Sequence, residues 1–137
     1  MEFVTFEIAK KLREKGFKDK CLATYNNCGE FEYNELESFE IESIVSTDSL
    51  LYSQNNVGSN FWTDAPTISQ VLKWLREEKK IHIVIDITNY GFISSTISFK
   101  WDKSYCENEI EHYDHEGYST YEEATIAGIE YVIDNLI

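Results

Sequence analysis

The fold is decided by residues 67–88, TISQVLKWLREEKKIHIVIDIT, where a helical pattern passes directly into a strand pattern. In the first part, apolar residues recur with helical spacing, and Thr67 followed three residues later by Gln70 forms a capping box. In the second part, isoleucine stands at every odd position of residues 81–87, so one strand face is continuously apolar. The stretch therefore predicts a helix that is followed without a spacer by a strand.

The sequence after this stretch predicts an antiparallel hairpin and a closing helix. Turn residues stand at 89–91, and alternating apolar and polar side chains at residues 93–101 predict a second strand. A weaker strand pattern covers residues 109–113. The last helix is expected to begin at Ser119 or Thr120, because each has glutamate three residues later.

The sequence before the stretch predicts a capped helix and a first hairpin. Thr5 is a favourable cap for a helix over residues 5–15. Strands are predicted at residues 20–25 and 30–33, separated by turn residues at 26–29. The N-terminal part of the chain thus has the order helix, strand, strand.

Residues 34–64 are the least regular part of the sequence, with a plain loop signal at residues 55–60. Because a structureless loop of that length is unusual in a compact domain, we expect a strand or a short helix within it. The complete order α-β-β-α-β-β-(β)-α predicts a single α+β domain over residues 1–137. It would have three helices and a mainly antiparallel sheet of 4–5 strands.

The charges of the chain are unevenly distributed. There are 25 acidic and 12 basic residues, which give a net charge of −13. Lysine and arginine concentrate in residues 10–20 and 73–80, and none occurs in residues 21–72. Because negative charge repels phosphate backbones and anionic membranes, we expect no direct binding to either, and a basic protein as the partner. Self-association between the basic helices and the acidic remainder is a further hypothesis.

The sequence carries no targeting signal and no catalytic motif. Lys10 and Lys11 interrupt the apolar run that a signal peptide needs, and no apolar run approaches a membrane span. Cys21, Cys28 and Cys106 are an odd, sparse set that suits a reducing compartment. A phosphate loop, a dinucleotide fingerprint and a nucleophile elbow are missing. We therefore predict a cytoplasmic, non-enzymatic protein without a cofactor.

A closely spaced acidic set is the first candidate site. Alternation places several of its carboxylates on one strand face at spacings comparable to nucleic-acid phosphates, so the face can bind a basic protein by counterion release. Tyrosine and tryptophan beside charge are typical interface anchors. The alternative is a solvated edge strand that charge protects from aggregation. The predicted partner-binding residues are Glu30, Glu32, Glu35, Glu37, Glu40, Glu42 and Trp62.

The second candidate is a metal or small-molecule site around residues 106–116. Cys106, His112 and His115 supply a thiolate and two imidazoles, which are zinc ligands. Their spacing matches no closed structural zinc motif, and an acidic, aromatic loop leading into a helix explains the same residues. We therefore predict no metal and keep these three residues as weak candidates.

Two segments carry a resemblance to other proteins. Residues 65–83, APTISQVLKWLREEKKIHI, and the ending YEEA at 121–124 with AGIEYVIDNLI at 127–137 resemble small uncharacterised proteins of gut-bacterial genomes, mobile elements and phages. The resemblance implies a mobile-element accessory protein, for which binding and blocking a host factor is a common role. The predicted function is protein–protein interaction, as an inhibitor of a basic, nucleic-acid-handling host protein.

Overall fold

The computed structural model describes residues 2–34, 51–58, 60–99, 106–112 and 117–137, with the backbone alone for residues 96–99 and 106–112. The chain divides into two compact units, Met1–Thr67 and Ile68–Ile137. The single domain over residues 1–137 stays a prediction.

The first unit is built on a three-stranded antiparallel sheet. Its strands stand in the order β2-β1-β3, so β1 is central, and each strand has only three or four residues. The elements are α1 (Phe6–Glu14), β1 (Ala23–Asn26), β2 (Phe31–Tyr33), the short helix α2 (Gln54–Val57) and β3 (Trp62–Asp64).

Helix α1 begins where the sequence predicts it. The Thr5 hydroxyl accepts a hydrogen bond from the Ile8 amide, which satisfies one of the unpaired donors at the start of a helix. Ile8 and Leu12, one turn apart, are buried and form the apolar stripe of the helix. Gly16 follows at φ 93°, a backbone conformation that favours glycine, and ends the helix.

The first hairpin is also confirmed, and one side chain organises its turn. The Asn26 side-chain carbonyl accepts hydrogen bonds from the amides of Cys28 at 2.9 Å and Glu30 at 3.0 Å. Gly29 occupies φ 84° within this turn. An asparagine side chain that imitates a backbone acceptor is a common turn device, so the turn at residues 26–29 was predictable from its residue types.

The second unit is built on another three-stranded antiparallel sheet, in the order β4-β5-β6. Its strands are longer, with seven to nine residues each. Helix α3 continues as a π-helical turn, Leu75–Lys79, and Lys80 at φ 59° leads directly into β4. The elements are α3 (Ile68–Trp74), β4 (Ile81–Thr88), β5 (Gly91–Phe99), β6 (Cys106–His112) and α4 (Tyr121–Tyr131), which ends in the π-helical turn Val132–Leu136.

Helix α4 packs closely on the second sheet. A Cβ atom at Gly128 would lie 2.9 Å from Ile83 Cγ2 and 3.3 Å from Ser94 Cβ, so the missing side chain is what permits the approach. Ile81 and Ile83 are buried, whereas Ile87, at the outer end of the same apolar face, is 76% exposed. The apolar strand face predicted over residues 81–87 is therefore core only in its first half.

The two apolar strand faces of the second hairpin point to opposite sides of the sheet. In the register of β4 and β5, Ile85 stands opposite Ser94, whereas Ile93 stands opposite Asp86. Because paired residues share a face, the first three isoleucines of β4 lie beside small polar residues of β5, Ile87 lies beside Phe92, and Ile93 lies on the other face. Ser94 is fully buried, which is possible because its small side chain fits beneath α4.

The α+β class with antiparallel sheets is confirmed, and several details are corrected. In the described residues the strands form two sheets of three, whereas the sequence predicted one sheet, and α2 adds a fourth helix. The strand or short helix expected within residues 34–64 is present as α2 and β3. The prediction of a loop over residues 55–60 was wrong for residues 55–57, because they belong to α2, which Ser53 caps. The weak strand at 109–113 is β6, which begins earlier.

Candidate interaction surface

The register of the first sheet places three of the predicted partner-binding residues on one face. Thr24 stands opposite Glu32 on one side of β1, and Asn26 stands opposite Trp62 on the other. The Asn26 amide donates to the Glu30 carbonyl at 3.0 Å, so Glu30 continues the pattern of Glu32. Since paired and alternate residues share a face, Glu30, Glu32 and Trp62 lie on the same side of the sheet.

This side carries exposed charge at β2 and aromatic rings at β3, with β1 between them, and we call Glu30, Glu32, Phe61 and Trp62 the acidic–aromatic face. Both glutamates are exposed, Phe61 is 52% exposed, and Trp62 is half-buried. The rings of Phe61 and Trp62 meet edge to face with centroids 5.2 Å apart. The other predicted members, Glu35, Glu37, Glu40 and Glu42, lie outside the described residues.

Helix α1 fixes the backbone that carries Trp62. An Arg13 guanidinium nitrogen donates to the Trp62 carbonyl oxygen at 2.9 Å and lies 3.5 Å from the Thr63 hydroxyl. A charged donor makes a stronger hydrogen bond than a neutral one. The contact ties β3 to α1 and holds the aromatic end of the face in position.

The opposite side of the same sheet carries an aromatic cluster, which we define as Phe3, Phe6, Tyr25, Phe31 and Tyr33. Ring centroids lie 4.9 Å apart for Phe3 and Phe31, 5.0 Å for Phe31 and Tyr33, and 5.5 Å for Phe6 and Tyr25. Tyr33 is 62% exposed and Phe31 38%. Edge-to-face pairs of this kind are favourable, so the rings hold one another in place while part of the cluster stays open to solvent.

None of the five rings of this cluster is among the predicted partner-binding residues. Phe31 was missed, although it lies between two of the predicted glutamates. The alternation Glu30, Phe31, Glu32, Tyr33 contains the signal, because it separates acids and rings onto two strand faces. The structure thus gives β2 one acidic face and one aromatic face.

A buried polar network lies on the same side of the sheet as the acidic–aromatic face, around Asp64. The Asp64 carboxylate is fully buried and accepts hydrogen bonds from the Ser53 hydroxyl at 2.9 Å, the Gln54 amide at 2.8 Å and the Asn55 amide at 3.1 Å. The Asn55 side chain donates in turn to the Phe17 carbonyl at 3.1 Å. Burial raises the pKa of Asp64, and these hydrogen bonds and the charge of Arg13 partly offset the rise.

A buried thiol lies within the electrostatic influence of Asp64. Cys21 is fully buried, and its sulfur lies 3.4 Å from the Asp19 carbonyl oxygen. Burial, reinforced by the negative charges of Asp64 and Asp19, raises the pKa of the Cys21 thiol far above its ordinary value. A protonated, buried thiol is a poor nucleophile and a poor metal ligand. Cys28, in contrast, is exposed in the hairpin turn.

Strand β6 does not bring the candidate metal ligands together. Cys106 and His112 are its first and last residues, and a strand rises about 3.3 Å per residue, so six steps separate their backbones by roughly 20 Å. One zinc ion binds ligand atoms within about 2.3 Å and cannot reach both ends. His115 lies outside the described residues, and within the described ranges no group of three histidine, cysteine or acidic side chains could hold a metal ion.

None of the helices among the described residues combines the length and apolar character needed to cross a membrane. Comparison of the chain with protein-family models, with curated proteins and with solved structures finds no match.

Proposed function

We propose that this protein acts without catalysis, by binding a basic protein through its acidic–aromatic face. The observation that carries the proposal is the shared sheet face of Glu30, Glu32 and Trp62, with Phe61 exposed beside Trp62. The two carboxylates attract a positively charged surface over several ångströms. The neighbouring rings supply the apolar anchors that carry most of the binding energy in protein interfaces.

The net charge of the chain favours the same partner class. At −13, the protein attracts basic surfaces, and basic proteins are often those that handle nucleic acids. The resemblance to mobile-element and phage proteins supplies the biological setting of the proposal, an accessory protein in the cytoplasm that occupies a host factor. In that role the acidic face competes with the phosphates of the nucleic acid for the same basic surface.

The test compares two double variants that remove equal charge from different surfaces. Glu30→Gln/Glu32→Gln neutralises the acidic–aromatic face, and Glu77→Gln/Glu78→Gln removes two exposed acids from the second unit. Each variant is immobilised and used to capture basic proteins from a host extract at increasing salt. We expect the wild-type protein and the second variant to retain the same basic protein at low salt, with binding that weakens steeply as salt rises.

The first variant should bind that protein at least threefold more weakly, because interface charges contribute to both encounter and affinity. The affinity of each variant for the purified partner is measured by titration calorimetry at two salt concentrations. Binding that is independent of salt, or equal loss in both double variants, would contradict the proposal.

A further inference from the structure

Strand β2 forms one edge of the first sheet. Within the described part of the chain it pairs with β1 alone. At the two ends of this ladder, the Asn26 amide donates to the Glu30 carbonyl at 3.0 Å and the Asn34 amide donates to the Leu22 carbonyl at 2.8 Å. In an antiparallel ladder, hydrogen-bonded pairs alternate with pairs that make no such bonds. The positions of these two bonds therefore fix which residues of β2 face β1.

By this alternation, Glu32 directs its backbone groups towards Thr24 of β1, and Phe31 and Tyr33 direct theirs away from it. The outward amides and carbonyls of Phe31 and Tyr33 have no partner strand among the described residues. A row of unpaired backbone donors and acceptors at a sheet edge is a template for another extended chain. Two outward residues offer two amides and two carbonyls to such a strand.

The two faces of β2 determine which side chains an added strand should carry. Phe31 and Tyr33 project to the side where Phe3 packs against both rings, at centroid distances of 4.9 and 5.8 Å. Glu30 and Glu32 project to the other side and are exposed. Side chains of an added strand alternate between the same two sides. Apolar residues would therefore meet the rings, and lysine or arginine would meet the carboxylates.

We propose that β2 binds its partner by strand addition, taking an extended segment in which apolar residues alternate with lysine or arginine. The segment runs antiparallel to β2, as in the rest of this sheet, and exchanges backbone hydrogen bonds with Phe31 and Tyr33. This mode rests on the proposed function, because it specifies how the basic partner binds. It requires backbone hydrogen bonds and a partner segment in which apolar and basic residues alternate. Charge attraction alone requires neither.

A second copy of this chain is a poorer occupant of the same edge. Antiparallel pairing of two β2 strands that keeps Phe31 and Tyr33 against aromatic residues also sets Glu30 or Glu32 directly opposite glutamate. Like charges in that position are destabilising. Charge complementarity therefore selects a basic segment of another protein.

The decisive experiment keeps the protein unchanged and varies a peptide. The probe is a blocked seven-residue peptide in which valine and lysine alternate, beginning and ending with valine. In the antiparallel arrangement the valines stand opposite Phe31 and Tyr33, so valine amides point towards β2 and lysine amides point to solvent. One peptide carries N-methyl groups on three of its valines, and its matched control carries them on its three lysines. Affinities are measured by titration calorimetry at low salt.

We expect the peptide with N-methyl valine to bind at least tenfold more weakly than the peptide with N-methyl lysine. The amide protons of Phe31 and Tyr33, followed by nuclear magnetic resonance, should exchange more slowly when the unmodified peptide is bound. Equal affinities of the two methylated peptides, or unchanged exchange at both amides, would overturn strand addition.

A block peptide with the same four valines and three lysines in two runs separates the two proposals. If it binds as tightly as the alternating peptide, and Glu30→Gln/Glu32→Gln weakens both, strand addition is wrong and the acidic–aromatic face still stands. If neither peptide binds the wild-type protein, strand addition is overturned, and this conclusion does not require the native partner to be known. The capture experiment described above then decides the proposed function separately.

Two variants of one residue test the same edge from the protein side. Tyr33→Val and Tyr33→Pro both remove the ring, but only proline also removes the outward amide, and proline is tolerated on edge strands. The proline variant should bind the alternating peptide several-fold more weakly than the valine variant. Equal binding by two folded variants would contradict the backbone contact.

Discussion

Among the described residues the two sheets have three strands each, but they are held together by different interactions. In the first unit the strands have three or four residues, and buried polar side chains such as Asp64 and Asn55 fix the neighbouring segments to them. In the second unit the strands have seven to nine residues, and Ile83 packs beneath Gly128 of α4. Short strands are marginal on their own, so the first sheet depends on specific hydrogen bonds in addition to its apolar core around Leu12 and Phe17. In the second sheet the apolar packing of α4 is the main contribution.

The largest effect should follow from removing the buried carboxylate of the first unit. In Asp64→Ala, the Ser53 hydroxyl and the amides of Gln54 and Asn55 lose their acceptor. Each buried donor left without a partner costs about 1–3 kcal/mol, and partial relaxation should leave a total loss of about 3–4 kcal/mol in the free energy of unfolding. Urea denaturation measures it, with the exposed Asp86→Ala as control at under about 0.5 kcal/mol. A loss below about 1 kcal/mol would mean that the first unit does not depend on the hydrogen bonds of Asp64.

A somewhat smaller effect is expected from overfilling the helix–sheet contact of the second unit. Gly128→Val places methyl groups where a Cβ alone would already lie 2.9 Å from Ile83 and 3.3 Å from Ser94. Overpacking of this kind costs about 1–3 kcal/mol, and we expect a value near the upper end because Ser94 is fully buried. Ala127→Val, at the half-buried neighbouring position, is the matched control. Similar stabilities of the two variants would mean that α4 does not depend on this close approach.

The smallest effect is a pH dependence carried by Cys21. Because burial raises the pKa of this thiol in the folded protein, the unfolded chain ionises first as pH rises past about 9. The unfolded state then binds fewer protons, so the stabilising contribution of Cys21 is present below that pH and falls by about 1.4 kcal/mol for each further unit. Urea denaturation between pH 8 and pH 10 should give a shallower decline for Cys21→Ala than for the wild-type protein. An equal pH dependence of the free energy of unfolding in the two proteins would mean that the thiol is exposed to solvent.

The second unit was the more predictable of the two, and particular residues explain why. The capping box of Thr67 and Gln70 and the isoleucines at the odd positions of residues 81–87 are strong local signals, and a periodic pattern predicts structure best when the segment is long. The exposure of Ile87 and the opposite orientation of Ile93 could not be predicted, because they depend on register and on where α4 packs. Register is a tertiary property that alternation alone leaves open.

The candidate surface was predictable only in part. The alternation of Glu30 and Glu32 with Phe31 predicts which side chains share a strand face, but the position of Trp62 depends on the pairing of β3 with β1, two strands that are far apart in the sequence. The role of Asp64 had no local signal, because its hydrogen-bond donors lie nine to eleven residues away. Long-range polar contacts of this kind become visible only in three dimensions.

The π-helical turn Leu75–Lys79 determines which residues of β4 face α4. It therefore constrains where the chain can gain or lose residues. No loop separates the helix from the strand, so a residue deleted from the turn shifts β4 by one position. Strand alternation would then exchange Ile81 and Ile83 for His82 and Val84 on the face beneath α4. Insertions and deletions should therefore be rare at this joint in any diverging lineage, even where single substitutions on its exposed side accumulate freely.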